Sequence, residues 1–248
     1  MLIDPCFIGY APTDQWEAAE WFRLANQLVN RGITHILMAP NHPLDAQFPV
    51  QMDEWVLTLQ TLLDRRGIPL RVYGSQLIPS EYSHFAYDAQ HLLFADLNQR
   101  YVLVSMAESM DFEAIHPTLF ALLKQDIRPV LVQPERAGTI DSTILTTLLE
   151  QGCYVLVSSQ SVMGLNGPDA KKWAWQALAQ GQVHLIGTVS ENGDVDHFPD
   201  ALAVIRQRLG RNYHDDLLLN AKALLNGDPL ITQFQLTSAR WRWPFSKR

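Results

Sequence analysis

Short apolar runs alternate with longer amphipathic segments along most of the chain. Seven of the runs are almost continuously apolar, as expected for parallel strands that are covered on both faces. They span residues 2–7, 34–39, 70–74, 101–105, 129–133, 154–158 and 183–188. Between them, apolar residues recur at helical spacing over residues 16–31, 54–66, 113–125, 143–151 and 169–180. The pattern predicts a chain of β-α units.

Glycines mark the joins between these units. Gly32, Gly67, Gly152 and Gly181 each follow a predicted helix and precede a strand by a few residues. Glycine readily adopts the left-handed backbone that ends many helices. Repeated β-α units form either a closed barrel or an open doubly wound sheet, and the chain lacks the glycine-rich nucleotide motifs of the open form. We therefore predict one barrel domain over residues 1–231.

Composition narrows the class of protein. The chain has 248 residues, of which 47% are apolar, and a net charge of −7. That charge argues against general nucleic-acid binding, which needs a basic surface. Two cysteines are too few for a disulfide scaffold, and no apolar run reaches the roughly 18–20 residues that span a bilayer. The first residues show no signal-peptide pattern, so we expect a cytoplasmic protein.

The last 17 residues, 232–248, differ in composition from the barrel segment. They contain no acid but four basic residues, Arg240, Arg242, Lys247 and Arg248, with the aromatic residues Trp241, Trp243 and Phe245 interleaved among them. Such a tail either packs its aromatic rings on the barrel or frays. Alternatively, it docks on a protein partner or makes weak contact with an anionic membrane surface.

Several hydrolase motifs are missing. A cysteine phosphatase needs an Arg six positions after its Cys, yet Pro12 follows Cys6 and Ser159 follows Cys153 at that distance. The chain also contains no HExxH and no GxSxG motif. Both cysteines are therefore interpreted as small buried side chains.

Several segments, in their order and spacing, form a specific pattern, and the two longest are RGITHILMAPNH at 31–42 and RPVLVQPER at 128–136. Together with 3–4, 67–70, 100–104, 181–187 and 220–225, they resemble the PHP-type protein-tyrosine phosphatases of bacterial capsule and exopolysaccharide gene clusters, the CpsB/CapC family. The resemblance implies a distorted, TIM-like (β/α)7 barrel of the PHP domain fold. It also implies a cluster of divalent metals, usually manganese, and a tyrosine kinase of polysaccharide synthesis as partner.

The metal ligands of the family are mostly replaced near the first two strands. Asp4 is kept, but Cys6 and Ile8 stand where the resemblance implies two histidines. After the second strand a histidine pair is expected, and the chain has Asn41 and His42. One acid and one histidine therefore remain there.

The same loss continues along the later strands. Gln76 and Ser105 stand where the resemblance implies glutamates, and Gln133 stands where it implies a histidine. After the seventh strand, Val189 and Glu191 replace an Asp and a His. Neutral amides supply no charge to balance a dication, and Val supplies no donor at all. The resemblance thus predicts a barrel with no metal, no cofactor and no assigned catalytic residue.

Arg136 is the candidate anion contact, because the resemblance places this residue opposite the phosphate and a guanidinium suits bidentate phosphate binding. The alternative for Arg136 is an ion pair with Glu135 or a loop acid. His42 could assist with the anion, or could be an ordinary hydrogen-bonded loop residue.

Three functions follow as hypotheses. The first is a pseudo-phosphatase that regulates exopolysaccharide or capsule synthesis by binding a phosphotyrosine kinase tail. The second is an active manganese-dependent tyrosine phosphatase whose site is rearranged around Glu108 and Glu135, with Asp4, His42 and Glu191. The third is a non-catalytic oligomeric scaffold that docks through its tail.

Overall fold

The computed structural model describes residues 1–7, 18–41, 47–79, 92–106, 112–189 and 197–233. Within these ranges lie eight strands: β1 Ile3–Phe7, β2 His35–Met38, β3 Arg71–Gly74, β4 Leu77–Pro79, β5 Tyr101–Ser105, β6 Arg128–Val132, β7 Tyr154–Ser158 and β8 Leu185–Gly187. The helices are α1 Ala18–Asn30, α2 Phe48–Arg65, α3 Phe112–Lys124, α4 Ser142–Gln151, α5 Ser159–Met163, α6 Pro168–Ala179, α7 Phe198–Leu209 and α8 Arg211–Asn226.

All strand pairs are parallel, and they form two sheets, β1-β2-β3 and β4-β5-β6-β7-β8. The split falls just after the third predicted strand, which ends at Gly74, because Ser75 and Gln76 separate β3 from β4. Hydrogen bonds still join the sheets there. The N–H of Ser75 donates to the carbonyl of Met38 at 2.7 Å, and that of Leu77 donates to Pro40 at 3.0 Å. The strand β4 therefore continues the path of the third strand beyond its predicted end at residue 74.

The opposite edges, β1 and β8, also meet. The N–H of Val189 donates to the carbonyl of Cys6 at 3.0 Å, and the N–H of Thr188 donates to the Asp4 carboxylate at 3.1 Å. With contacts at both seams, the strands enclose an interior without forming one continuous ladder. The predicted distorted barrel architecture is confirmed, with two sheets in place of a single closed one.

The side chains of the strands alternate between two apolar clusters. In β5, Val102 and Val104 belong to the outer cluster under the helices, while Tyr101 and Leu103 belong to the cluster inside the barrel. This alternation follows from the two-residue repeat of a strand. Burying each Val or Leu contributes about 1.5–3 kcal/mol, so both layers hold the strands in place.

Local sequence signals set several helix ends. Asp141 accepts the N–H groups of Thr143 and Ile144, both at 2.8 Å, and so caps the start of α4. Gly152 ends that helix with a φ of 102°, as its position after the apolar pattern predicts. Helix α2 begins earlier than predicted, at Phe48, because Pro49 is well tolerated in a first turn. Among the described residues, no helix is long and apolar enough to cross a membrane.

Helix α8 lies against the end of the barrel where the strands begin. Its residues Ala221 and Leu224 join the interior cluster, and Leu230 of the following segment joins it as well. Residues 234–248 lie outside the described part of the chain. Neither the interpretation of that tail nor the domain boundary at residue 231 is tested, and both stay predictions.

Candidate functional site at the barrel mouth

The candidate site lies at the end of the barrel where the strands finish, which we call the mouth and define by Gln76, Ser105, Gln133 and Val189. Ser105 is the last residue of β5, and Gln133 and Val189 follow β6 and β8. Barrels of parallel strands place their chemistry at this end, because side chains from several strands converge there. The structure thus brings these predicted positions to one end of the molecule.

Asp4 is fully buried and joins the two edge strands β1 and β8. Its Oδ1 accepts the N–H of Thr188 at 3.1 Å and the N–H of Cys6 at 3.2 Å, and its Oδ2 accepts the Thr188 hydroxyl. Burial raises the pKa of Asp4 above its ordinary value, although these hydrogen bonds oppose the shift. Both carboxylate oxygens are therefore engaged within the protein.

Cys6 and Val189 occupy two positions where the family resemblance implies metal ligands. Both side chains are buried in the cluster inside the barrel, beside residues such as Leu103 and Leu156. Burial also raises the pKa of the Cys6 thiol well above its ordinary value, which disfavours the thiolate. At these two positions, Val189 offers no donor atom and Cys6 is held as a neutral thiol.

Two residues of the mouth have a left-handed backbone without being glycine. Val189 has a φ of 43° and Gln133 a φ of 56°. The two are linked, because Nε2 of Gln133 donates to the carbonyl of Val189 at 3.4 Å. Such conformations cost about 1–3 kcal/mol each and cluster at functional sites. A positive φ is rarest for a β-branched residue such as Val189.

The other predicted site residues supply neutral polar groups. Gln76 is fully buried, and its Oε1 accepts the N–H of Leu93 at 3.5 Å. Ser105 is half-buried. Asn41 is exposed and forms a parallel bridge with Leu77, so it joins the end of β2 to β4. His42 and Glu191 lie outside the described residues, and their roles stay predictions.

Glu135 is the buried acid of the turn that follows β6. Its Oε1 accepts the N–H of Ser158 at 2.9 Å, whereas Oε2 is buried without a hydrogen-bond partner among the described residues. Burial raises the pKa of Glu135 to about 7, with the N–H of Ser158, the hydroxyl of Ser161 and the charge of Arg136 acting in the opposite direction. The next residue, Arg136, is exposed. The turn therefore contains an exposed guanidinium, that of Arg136, next in sequence to a buried carboxyl that is partly protonated at neutral pH.

Sequence reasoning missed the partners that hold these groups. Thr188 binds Asp4 across 184 positions of sequence, and Ser158 binds Glu135 across 23. No local motif joins such positions: pairing of β6 with β7 brings Ser158 to Glu135, and the meeting of β1 with β8 brings Thr188 to Asp4. The acidic residue at position 135 was visible as part of the QPER segment, but its burial was not.

The described donors do not fit a metal cluster. Among the residues that the structure describes, no group of three or more His, Cys, Asp or Glu side chains is placed to hold an ion. Asp4 already uses both oxygens, and Glu135 offers one. A cluster of dications needs several convergent anionic or imidazole ligands.

Known proteins are similar to this chain in sequence and in fold. The chain is 24% identical over 224 residues to the tyrosine-protein phosphatase YwqE of Bacillus subtilis, with 88% of each chain covered. Its structure matches a chain from the crystal structures of YwqE and of CpsB from Streptococcus pneumoniae, described as metal-dependent tyrosine phosphatases. The TM-score is 0.80 at 24% identity, and the match covers 94% of this chain and 97% of the other.

A TatD-like protein from Archaeoglobus fulgidus also matches, with a TM-score of 0.49 and 11% identity over 86% of this chain and 99% of that one. That score is too low to support a common function. The family profile for capsular polysaccharide synthesis, CpsB/CapC, matches residues 17–226, most of the chain. This protein belongs to the CpsB/CapC family.

Proposed function

We propose that this protein is a non-hydrolytic member of its family that binds a phosphorylated tyrosine through Arg136 and regulates polysaccharide synthesis. The observation that supports it is the state of Asp4, whose carboxylate bridges β1 and β8. The relatives with metal-dependent tyrosine phosphatase activity suggest the ligand. The tail of a tyrosine kinase that serves polysaccharide synthesis is the candidate partner.

Loss of hydrolysis follows from the chemistry of the described mouth. Phosphate-ester cleavage without a cysteine nucleophile needs metal ions that activate water and balance the phosphate charge. Cys6 is buried as a thiol, and Val189 and Cys6 pack in the apolar interior. The described residues therefore supply neither a set of metal ligands that could activate water nor a cysteine nucleophile.

Retention of anion binding follows from the groups that replaced the ligands. Gln133 and Ser105 carry N–H or O–H donors at positions where the family resemblance implies acceptors for a cation. Arg136 is exposed in the same turn, and a guanidinium can donate two parallel hydrogen bonds to a phosphate. A pKa of about 7 for Glu135 also reduces repulsion, because part of the population is neutral at pH 7.

Direct titration tests the proposal. A fluorescent phosphotyrosine peptide and its unphosphorylated twin are titrated with the protein by anisotropy, once in 1 mM EDTA and once in about 1 mM MnCl₂. We expect binding of the phosphopeptide alone, with the same affinity in both buffers. Arg136→Ala should weaken binding at least about tenfold, a loss of about 1.4 kcal/mol, and Arg136→Lys should weaken it less.

Arg211→Ala is the matched control, because this exposed arginine lies at the start of α8 and pairs with Asp215 at 3.1 Å. It should bind like the wild type. Absence of phosphopeptide binding, or equal binding of both peptides, would remove the proposed ligand.

The second candidate is an active metal-dependent tyrosine phosphatase, and the names of the two matched relatives favour it. In that case, elemental analysis of the purified protein should find stoichiometric manganese, iron or zinc. Phosphate release from the same phosphopeptide should require the metal and be lost in Arg136→Ala. Under the first proposal, the phosphopeptide remains intact after hours of incubation with either buffer.

A further inference from the structure

A cleft opens at the end of the barrel opposite the mouth. It has a volume of about 490 Å³, and its walls include His35, Tyr73, Leu97, Lys222 and Leu225. We call it the lower cleft. Its residues come from the beginnings of the strands, from the turn before β5 and from the last turns of α8. It is therefore separate from the candidate site at the mouth.

The turn that forms one wall is tightly braced. The carboxylate of Asp96 accepts the N–H groups of Asn98 at 2.8 Å, of Arg100 at 3.1 Å and of Tyr101 at 2.8 Å. The side chain of Asn98 then donates to the carbonyl of Asn226 at 2.8 Å, which fastens the turn to the end of α8.

Gly227 shows how close this approach is. A Cβ at that position would lie 2.5 Å from an oxygen of Asp96 and 2.7 Å from Cβ of Asn98. Only glycine fits there, and its φ of 71° is also a left-handed value. The turn and the helix end thus form one rigid unit.

This rigid unit exposes an apolar side chain. Leu97 is 97% exposed, and Tyr73, on the facing wall, is 42% exposed. The ring of Tyr73 is stacked on His35, with centroids 6.1 Å apart and an angle of 10° between the planes. The stacked ring of Tyr73 loses little conformational entropy on binding, and Leu97 offers its whole side chain for burial from a braced backbone.

The cleft has one cationic side chain, Lys222, among otherwise neutral polar groups. Lys222 is exposed, and neither its amino group nor the hydroxyl of Tyr73 has a partner in the described structure. Arg71 next to the stack pairs with Asp64 at 3.3 Å. Among the described residues, no Asp or Glu lines the cleft, although the chain as a whole carries a charge of −7. The local charge therefore favours an acidic occupant.

We propose that the lower cleft docks a short acidic segment of a partner protein. An apolar side chain of that segment packs between Leu97 and Tyr73, and a neighbouring carboxylate pairs with Lys222. The volume matches a few side chains, at the small end of the pockets that hold compact ligands. Because the cleft and the mouth lie at opposite ends of the barrel, both can be occupied at once.

Selection from a randomised ten-residue peptide library tests this docking site. The library is selected on the wild-type protein and counter-selected on the double variant Leu97→Ser, Lys222→Glu. We expect enriched peptides to carry Asp or Glu within a few positions of Leu, Ile, Phe or Trp. Their affinity, measured by anisotropy, should fall at least about tenfold in either single variant and fall further in high salt.

Leu165→Ser and Lys172→Glu are the matched controls, because both residues are exposed and lie away from the cleft. They should bind the selected peptides like the wild type, and all variants should keep the wild-type melting temperature. Binding of the phosphotyrosine peptide should be unchanged in Leu97→Ser, which separates this site from the mouth.

Three results would overturn the proposal. One is enrichment of basic peptides or of no peptide, and another is equal affinity of the selected peptides for wild type and variants. The third is a concentration-dependent dimer in sedimentation that Leu97→Ser abolishes, which would assign the cleft to a second copy of the chain.

Discussion

Two sets of buried polar groups, one at each end of the barrel, differ in how fully they are hydrogen-bonded. At the lower end, Asn220 donates to the carbonyls of His184 at 3.0 Å and Ile231 at 2.9 Å and accepts the N–H of Ile231 at 2.6 Å. At the mouth, Glu135 and Ser159 each contain a buried oxygen without a partner among the described residues. The Asn220 network is complete, whereas these two groups at the mouth are unsatisfied, and at the lower end the Oε1 of Gln151 is likewise buried without a partner among the described residues.

This difference distinguishes buried polar residues that stabilise the fold from buried polar residues that are kept for binding. A buried polar group with all its hydrogen bonds supports the fold, whereas an unsatisfied one costs about 1–3 kcal/mol. Left-handed non-glycine residues occur at both ends, namely Gln133 and Val189 at the mouth and Gln99 and Asp126 in the turns before β5 and β6, so their cost does not distinguish the ends. We infer that the lower end supplies stability, and that the mouth keeps the polar remains of a binding site.

The largest expected effect is at the lower end. Replacing Asp96 by Ala leaves the N–H groups of the turn at 98–101 without their acceptor, so the free energy of unfolding should fall by about 4 kcal/mol. Asp96→Asn keeps one oxygen and should cost about half as much. Urea denaturation monitored by tryptophan fluorescence measures both. A smaller loss than that caused by Asp4→Ala would contradict the proposed division between the two ends.

The next effect concerns the seam at the mouth. Asp4→Ala removes the acceptor of three hydrogen bonds and should lower the free energy of unfolding by about 3 kcal/mol. Asp4→Asn retains Oδ1 for the two N–H groups, and its amide can donate to the Thr188 hydroxyl, so it should cost less than about 1 kcal/mol. If Asp4 held a metal instead, Asp4→Asn would remove a metal-dependent rise in melting temperature that the wild type shows.

How far the sequence predicts this molecule also differs between the two ends. Strands buried on both faces have a strong apolar signature, so the order of the β-α units and the glycines after the helices were correctly predicted. The separation of the two sheets at Ser75 and Gln76 was not predicted, because an apolar pattern does not show that a strand changes partners. Among the candidate site residues, Gln76, Ser105 and Gln133 lie at strand ends in the structure, and their role as a site stays a prediction.

The burial of Glu135 and the engagement of Asp4 could not be predicted. Both depend on tertiary partners, Ser158 on the neighbouring strand β7 and Thr188 across the seam between β1 and β8. The lower cleft was missed for the same reason, since Leu97 is an ordinary leucine in the sequence and becomes unusual only when its turn is fixed to α8.

A third prediction uses the pH dependence of Glu135. Its pKa rises from an ordinary 4.5 to about 7 in the folded protein because of burial. Between these values the folded state holds a proton that the unfolded state has lost, so this group's contribution to stability falls as pH rises. From pH 5 to pH 7 the loss should be about 2 kcal/mol, given about 1.4 kcal/mol for each unit of pKa shift.

Glu135→Gln should remove that part of the pH dependence while keeping an acceptor for the N–H of Ser158. The difference in the free energy of unfolding between Glu135→Gln and the wild type is measured in urea at several pH values. It should favour the variant increasingly from pH 5 to pH 7 and stay constant above pH 8. A difference that does not change with pH would mean that Glu135 is ionised throughout and has a partner at the mouth.

The smallest effect is the most direct test of unsatisfied groups at the mouth. The hydroxyl of Ser159 is buried without a partner among the described residues, so Ser159→Ala should leave the free energy of unfolding unchanged or raise it by up to about 1 kcal/mol. Its neighbour Ser158 is the control, because its hydroxyl accepts the N–H of Gln160 at 3.2 Å and donates to the carbonyl of Thr188 at 3.3 Å. Ser158→Ala should therefore cost about 1–2 kcal/mol, the usual range for a lost helix cap. Equal losses in the two variants would show that the Ser159 hydroxyl is hydrogen-bonded in solution, and the contrast between the two ends of the barrel would then disappear.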